Sequence, residues 1–329
     1  MPTTPKKQGQ LVIKALKEFP KTSKRALAEM LSDNYPALFT FESARSLIKV
    51  YAKDESIAKD RDSPFTGKNP FGLNYSKAKK QQYQSIPNSF NNILWLSDIH
   101  FPNHCIPSLS AALQYGIDNN INCIVLGGDI LDNEPFTNHD APPPSKNDVL
   151  DWFEMVEEFL DMLRNKFPKA KIYWLEGNHD LWYVRYLMKK APALFGDEYY
   201  RLPQRLNLKQ RNVEFLEQDV ILKAGKLHLL HGHTIIRGFM PPAQPSKNLL
   251  NRTLASTLIG HVHQNSYTPT RTLQEKSIIG CWTVGCLCTL SPAYDPHNIR
   301  HNNGIAHIKF QQSGEFNVQL KEIHNGKIL

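Results

Sequence analysis

Apolar and polar positions along the first sixty residues repeat with helical spacing. QLVIKALKEFP (10–20) forms an amphipathic run stopped by Pro20. TSKRALAEMLSDN places Leu27, Met30 and Leu31 on one face behind Thr22 or Ser23 as a cap. FESARSLIKVYAKDESIAK spaces Phe41, Ala44, Leu47, Ile48 and Tyr51 as a third helix. The pattern predicts a small helical module over 1–60, compatible with a helix-turn-helix. Residues 61–90 mix Pro, Gly, Ser and Lys without periodicity, which predicts a linker or extended arm.

From residue 91 the texture changes. Short apolar runs (NILWL, INCIVL, KIYWL, KLHLL, STLI) alternate with helical stretches, among them PSLSAALQYGIDNN, DVLDWFEMVEEFLDMLRNKF and LWYVRYLMKKAPALF. The tail, IAHIKFQQSGEFNVQLKEI, reads as a hairpin around Ser-Gly. Strands alternating with helices predict an α/β domain over 91–329 with much parallel sheet.

Charge divides at the same place. The chain has 329 residues, 39 Lys+Arg and 31 Asp+Glu, a formal charge of +8. Residues 1–90 hold 16 basic and 8 acidic residues and the remainder 23 of each, so all of the excess lies in the N-terminal part. A basic appendage faces a polyanion or simply aids solubility; nucleic acid is the commonest polyanion. Arg45, Lys49 and Lys53, one turn apart on the third helix, are its candidate DNA contacts. No apolar run approaches the ~20 residues of a membrane helix, so no membrane partner is expected. The first residues lack the apolar core of a secretory signal. Together with five cysteines in no CxxC pair, this predicts reduced thiols and a cytoplasmic location. Three of the five (Cys281, Cys286, Cys288) lie in GCWTVGCLC, a spacing that fits no standard structural zinc site.

Five apolar runs end in metal-type donors: Asp98 and His100, Asp129 and Asp132, Asn178 and His179, His231 and His233, His261 and His263. In open α/β sheets the crevice at the carboxyl ends of the strands is where ligands bind, so the five ends should converge. A donor set of imidazole, carboxylate and amide without thiolate suits borderline or hard divalent ions.

The ordered pattern Asp98-x-His100, Gly128-Asp129-x-x-Asp132, Gly177-Asn178-His179-Asp180, His231 and Gly260-His261-x-His263 resembles the calcineurin-like metallophosphoesterase superfamily. The resemblance spans about residues 91–310 and implies an αββα sandwich of two mixed sheets. It implies that Asp98, His100, Asp129 and His263 hold one metal, and that Asp129 bridges to a second held by Asn178, His231 and His261. Two such ions clamp phosphoryl oxygens and lower the pKa of a shared water. Mn²⁺ is the expected ion, with Fe or Zn as alternatives. His179 is then the residue that stabilises the transition state or protonates the leaving group, oriented by Asp132. Protein Ser/Thr phosphatases of the superfamily carry Arg and Glu where this chain has Asn133 and Asp180, so its pattern is more similar to the phosphodiesterase and nuclease branches. The expected activity is hydrolysis of a phosphodiester in nucleic acid. The alternative is a phosphomonoesterase, acting on a small molecule or a protein, whose N-terminal module binds protein. His104, His139 and Arg237 are candidate substrate contacts, and the Pro-rich stretch 133–147 is the expected selectivity loop.

Overall fold

The computed structural model describes residues 7–19, 22–52, 81–137, 148–237, 243–273, 278–291 and 300–329. The chain forms two compact units, 1–80 and 81–329.

The first unit contains α1 (Lys7–Glu18), α2 (Lys24–Asn34) and α3 (Phe41–Tyr51). Ser23 caps α2 by accepting the Ala26 N–H at 3.1 Å, and Thr40 with Ser43 forms a capping box at the start of α3. Val12, Leu27, Leu31, Phe39, Ala44 and Ile48 make a core of their own. The connection between α2 and α3 runs from Tyr35 to Thr40, longer than the ~3–4-residue turn of a helix-turn-helix. Arg45 and Lys49 are exposed on α3; Arg45 lies 3.5 Å from Glu42. Lys53 and residues 61–80 lie outside the described residues.

The second unit begins earlier than the sequence suggests. Residues 82–85 are not linker: β1 (Gln82–Ser85) pairs in parallel with Val220–Lys223. The strand is polar because it is a largely exposed sheet edge, which removes the apolar signal that would mark it. Next come β2 (Asn92–Leu96), α4 (Ile106–Asp118), β3 (Cys123–Leu126), α5 (Asp148–Lys166), β4 (Lys171–Leu175) and α6 (Asp180–Lys190). Two single-turn helices, α7 (Pro192–Phe195) and α8 (Leu202–Arg205), lead to β5 (Val213–Leu216), β6 (Val220–Ala224) and β7 (Leu227–Leu230). The chain then forms α9 (Pro245–Thr253), β8 (Thr257–Ile259), β9 (Ser266–Arg271) and β10 (Ile278–Thr283). The expected C-terminal hairpin is β11 (Asn303–Phe310) with β12 (Phe316–His324), followed by β13 (Lys327–Ile328).

These strands make two mixed sheets, ordered β1-β6-β7-β8-β10-β9 and β13-β12-β11-β2-β3-β4-β5. The period of two in the central strands explains the layers. Ile93, Trp95, Val125 and Tyr173 face the other sheet and meet Leu222, Leu229, Leu258 and Trp282. Leu94, Leu96, Ile124, Leu126, Ile172 and Trp174 face outwards and are covered by Ala112 of α4 and by Val156, Phe159 and Leu163 of α5. Leu249 and Leu250 of α9 pack on Ile259 of β8 and Cys281 of β10, on the outer side of their sheet. The result is the four-layer αββα arrangement. Among the described residues no helix is long and apolar enough to cross a membrane.

Candidate metal centre

Parallel pairing of β2, β3 and β4, and of β7 with β8, sends the five motif-bearing ends towards one place. Glycines let them close. A Cβ on Gly177 would overlap Asp129 Oδ1, and one on Gly260 would overlap Asp98 Oδ2. The donors themselves sit on sharply turned backbone: Asp98, His100, Asp129, His261 and His263 all have φ between 52° and 67°. Each such non-glycine residue costs on the order of 1–3 kcal/mol. Bonds between the turns hold them there: Asp98 N–H to Gly128 O (3.0 Å), His100 N–H to Asp129 O (3.1 Å) and Leu287 N–H to Asp98 O (3.0 Å).

Four groups of potential donors result among the described residues: His100, Asp132 and His179 form one, His263, Cys286 and Cys288 another, and the remaining two contain the histidine and aspartate ligands that the resemblance implies. One ligand atom each from Asp98, His100 and His263 lie within 4.8 Å of one another, and so do those of Asp129, His231 and His261. In the first, His263 Nε2 is 3.3 Å from Asp98 Oδ1, and the His261 N–H donates to both Asp98 oxygens at 3.0 and 3.1 Å. In the second, His231 Nε2 lies 3.0 Å from Asp129 Oδ2 and 3.2 Å from Asn178 Oδ1. His231 Nδ1 donates to the Gly127 carbonyl at 2.8 Å, which leaves Nε2 as its free donor to a metal. The clusters adjoin across Asp129, whose Oδ2 is 4.0 Å from His100 Nε2. His100 Nε2 and His263 Nδ1 are buried with no hydrogen-bond partner. An orphaned imidazole nitrogen beside Asp129, that of His100, fits a cation rather than a sealed core.

The sequence pattern of calcineurin-like phosphoesterases matches residues 92–283. The chain belongs to that family. It is a metal-dependent phosphoesterase. Similar solved structures include a Vps29 single mutant from Entamoeba histolytica (14% identity, 72% of this chain and 96% of that one, TM-score 0.36). A dimetal phosphatase from Danio rerio (11%, 73% and 98%, 0.35) and the nuclease MPE from Pseudomonas putida (12%, 69% and 87%, 0.29) are also similar. Comparison with curated proteins yields no significant match.

Electrostatics in this phosphoesterase follow from the crowding. Burial pushes the carboxylates up, but facing imidazoles win: His263 holds Asp98 at about 2, and His231 and His179 hold Asp129 well below its ordinary value. The reciprocal effect raises His231 to about 9, against its burial, through Asp129. His261 moves the other way, to about 4, because burial and His231 both disfavour its charge.

His179 stands beside the clusters. Its Nδ1 donates to Asp132, with Oδ1 and the backbone O both at 2.8 Å, and its N–H donates to Asp129 Oδ1 at 2.8 Å. Asp132 Oδ1 also accepts from His100 Nδ1 at 3.1 Å. Burial opposes the charge on His179, but Asp129 and Asp132 outweigh it and raise its pKa.

The other candidates lie apart from the clusters or outside the described residues. His104 bonds through Nδ1 to the Pro102 carbonyl and packs its ring 4.4 Å from Phe101. Arg237 is exposed and donates to the Thr234 carbonyl. His233 belongs to neither cluster; its Nε2 meets Gln218 Oε1 at 3.1 Å. His139, with 138–147 of the expected selectivity loop, lies outside the described residues.

Three contributors carry no clear mark in the sequence. Asn103 donates to Asp132 Oδ2 at 2.6 Å and fixes the far side of that carboxylate. His301 packs its ring, tilted by 60°, 4.5 Å from that of His263. Fully buried Asp180, which looks like a subgroup marker, accepts five N–H groups: Asp129, Gly177 and Trp174 Nε1 on Oδ2, and Ile130 and Leu131 on Oδ1. It fastens the Gly-Asp turn to the Gly-Asn-His turn.

Proposed function

We propose that this phosphoesterase hydrolyses phosphodiesters in nucleic acid at a dinuclear centre. Asp98, His100, Asp129 and His263 would hold one divalent ion, and Asp129, Asn178, His231 and His261 the other. The observation that carries the reading is the pair of donor clusters adjoining at Asp129, with the partnerless His100 Nε2 beside that carboxylate. Mn²⁺ is the proposed ion; Fe and Zn suit the same donor types. Two divalent ions there neutralise charge on the phosphoryl oxygens and bring a water's pKa towards neutrality.

The chain's own residues do the rest. Asp132 and its carbonyl keep the proton on His179 Nδ1 and fix the ring, so Nε2 is the atom presented to substrate. Nε2 stabilises the departing oxygen and supplies its proton. Asn133 Nδ2 donates to the His179 carbonyl at 3.0 Å and holds the backbone beneath that ring.

Support for nucleic acid as the substrate comes from charge. The excess lies wholly in residues 1–90, and Arg45 and Lys49 are exposed on α3. The test is hydrolysis of bis-p-nitrophenyl phosphate and of single- and double-stranded DNA with Mn²⁺, for wild type, Asp129→Asn and His179→Ala. Diester cleavage by wild type, lost in both variants, is expected. Equal rates in all three would refute the site. A preference for p-nitrophenyl phosphate with no DNA cleavage would overturn the substrate assignment and point to a phosphomonoesterase.

A further inference from the structure

The three cysteines of GCWTVGCLC do not act together. Cys281 points towards the end of α9: its Sγ lies 3.6 Å from Thr253 Oγ1 and 3.3 Å from the Ala255 carbonyl just beyond the helix. Cys286 and Cys288 face the other way. Positions 286 and 288 are bridge residues on either side of a bend, and their thiols share a face while Leu287 turns into the apolar core. The Cys-Leu-Cys segment is pinned along its length. Cys286 N–H donates to Asn302 O at 3.0 Å, and Leu287 O accepts from Cys105 N–H at 2.8 Å. Asn303 Nδ2 donates to the carbonyls of Cys286 (3.1 Å) and Cys288 (2.8 Å).

The face so formed looks at His263. One ligand atom each of His263, Cys286 and Cys288 lie within 4.8 Å of one another, and all three residues are buried. The hydrogen bonds of Cys286 Sγ are long, 3.6 Å to Asn302 O and 3.9 Å to Cys288 O, and His263 Nδ1 has none. Two thiols and an imidazole in fixed positions are a donor set of a different chemical kind from the carboxylate-rich clusters beside it. Thiolates select soft cations, whereas carboxylate and imidazole together suit harder ones.

We propose that His263, Cys286 and Cys288 form a further metal position, specific for a thiophilic divalent cation such as Zn²⁺ or Cd²⁺, which competes with Asp98 and His100 for His263. Binding converts both thiols to thiolates and releases their two protons to solvent. Three protein donors leave the fourth tetrahedral place open. Competition follows from the ring: a neutral imidazole has one unprotonated nitrogen, so His263 serves one position at a time. A hard ion therefore loses His263 when a soft one is held, and the soft ion acts as an inhibitor. This last clause rests on the dinuclear reading above; the thiolate position does not.

The probe is Cd²⁺ alone, titrated into the full chain stripped of metal by a chelator, with the ultraviolet thiolate-to-cadmium charge-transfer band as readout. The band should saturate at one equivalent in wild type, Cys105→Ser and Cys281→Ser, and be absent in Cys286→Ser and Cys288→Ser. X-ray absorption of the wild-type cadmium form should show two sulfur neighbours, which keeps the test valid if a serine variant does not fold. A band unchanged in Cys286→Ser and Cys288→Ser, or a cadmium shell of nitrogen and oxygen only, overturns the proposal. In a second arm, Cd²⁺ is added during Mn²⁺-supported hydrolysis of bis-p-nitrophenyl phosphate. Inhibition should appear in wild type and fade in Cys288→Ser; equal inhibition of both overturns the competition. Absence of any hydrolysis would refute the dinuclear reading and leave the cadmium band standing.

Discussion

Replacing Asp180 by Asn tests whether this carboxylate is a structural clasp. Asp180 meets five buried N–H groups, three on Oδ2 and two on Oδ1. Asparagine keeps one carbonyl oxygen. If that oxygen takes the place of Oδ2, the amide nitrogen turns its own donors towards Ile130 and Leu131, and two N–H groups go unmet. Each unsatisfied buried donor costs about 1–3 kcal/mol, so the loss is about 2–6 kcal/mol. Against a total stability of roughly 5–15 kcal/mol this is severe. At about 2–4 °C per kcal/mol for a unit of this size, Tm should fall by roughly 4–24 °C. The assay is thermal and urea unfolding of metal-stripped protein, because bound metal adds stability by mass action and masks the loss. Near-ultraviolet circular dichroism from Trp174 should change little, since its Nε1 keeps the oxygen that takes the place of Oδ2. A loss below about 1 kcal/mol, the scale of an ordinary surface substitution, would refute the reasoning.

His179→Ala should lower kcat by about 10²–10⁴ while leaving the number of bound metal ions unchanged, because its Nδ1 is spent on Asp132; metal analysis beside steady-state rates separates the two effects, and lost metal would contradict the role. Asp129→Asn should weaken both metal positions together, visible as one collapsed transition in a Mn²⁺ titration, and loss of a single ion would show that Asp129 does not bridge. Metal affinity should climb with pH: His231 is raised to about 9 in the metal-free chain, so binding below that pH must expel its proton. The gain is up to about tenfold per pH unit between 7 and 9, flattening above; a flat titration over that range would contradict it. Conversely, the pairing of His231 with Asp129 stabilises the metal-free fold fully below about pH 6.5 and fades as pH passes 9, so Tm of the stripped protein should decline across that interval.

The parts of this molecule legible in sequence are those where burial and chemistry coincide. β2, β3 and β4 are buried on both faces, so they read as unbroken apolar runs, and their polar ends stand out against them. Edge strands lack that contrast. Gln82–Ser85 is mostly exposed and reads as linker, and β9 contains Pro269 and exposes much of its length. β10 is apolar, but its Cys281 opens the GCWTVGCLC run and draws the eye to chemistry rather than to a strand. Within the site, identity and spacing point to the donors, while the hydrogen bonds that orient them depend on chain segments far apart in sequence. Asp180 has the same residue type whether it clasps a turn or faces solvent, and only the five converging N–H groups decide. GCWTVGCLC looks like one cluster, yet the swing of the chain after β10 sends Cys281 to one side of the sheet and the other two thiols towards His263.

Asp132 Oδ1 accepts from two rings at once, His100 at 3.1 Å and His179 at 2.8 Å. One oxygen thus serves as a common rail between the imidazole proposed as a metal ligand and the one proposed to carry the proton. An ion held by His100 would sharpen its Nδ1–H as a donor, and that bond would claim a larger share of the oxygen. Asp132 would then raise the His179 pKa less, leaving it the stronger acid. If His100 holds an ion as proposed, exchanging that ion would alter the acid strength of His179 through this shared oxygen, and the pH optimum should shift as well as the rate.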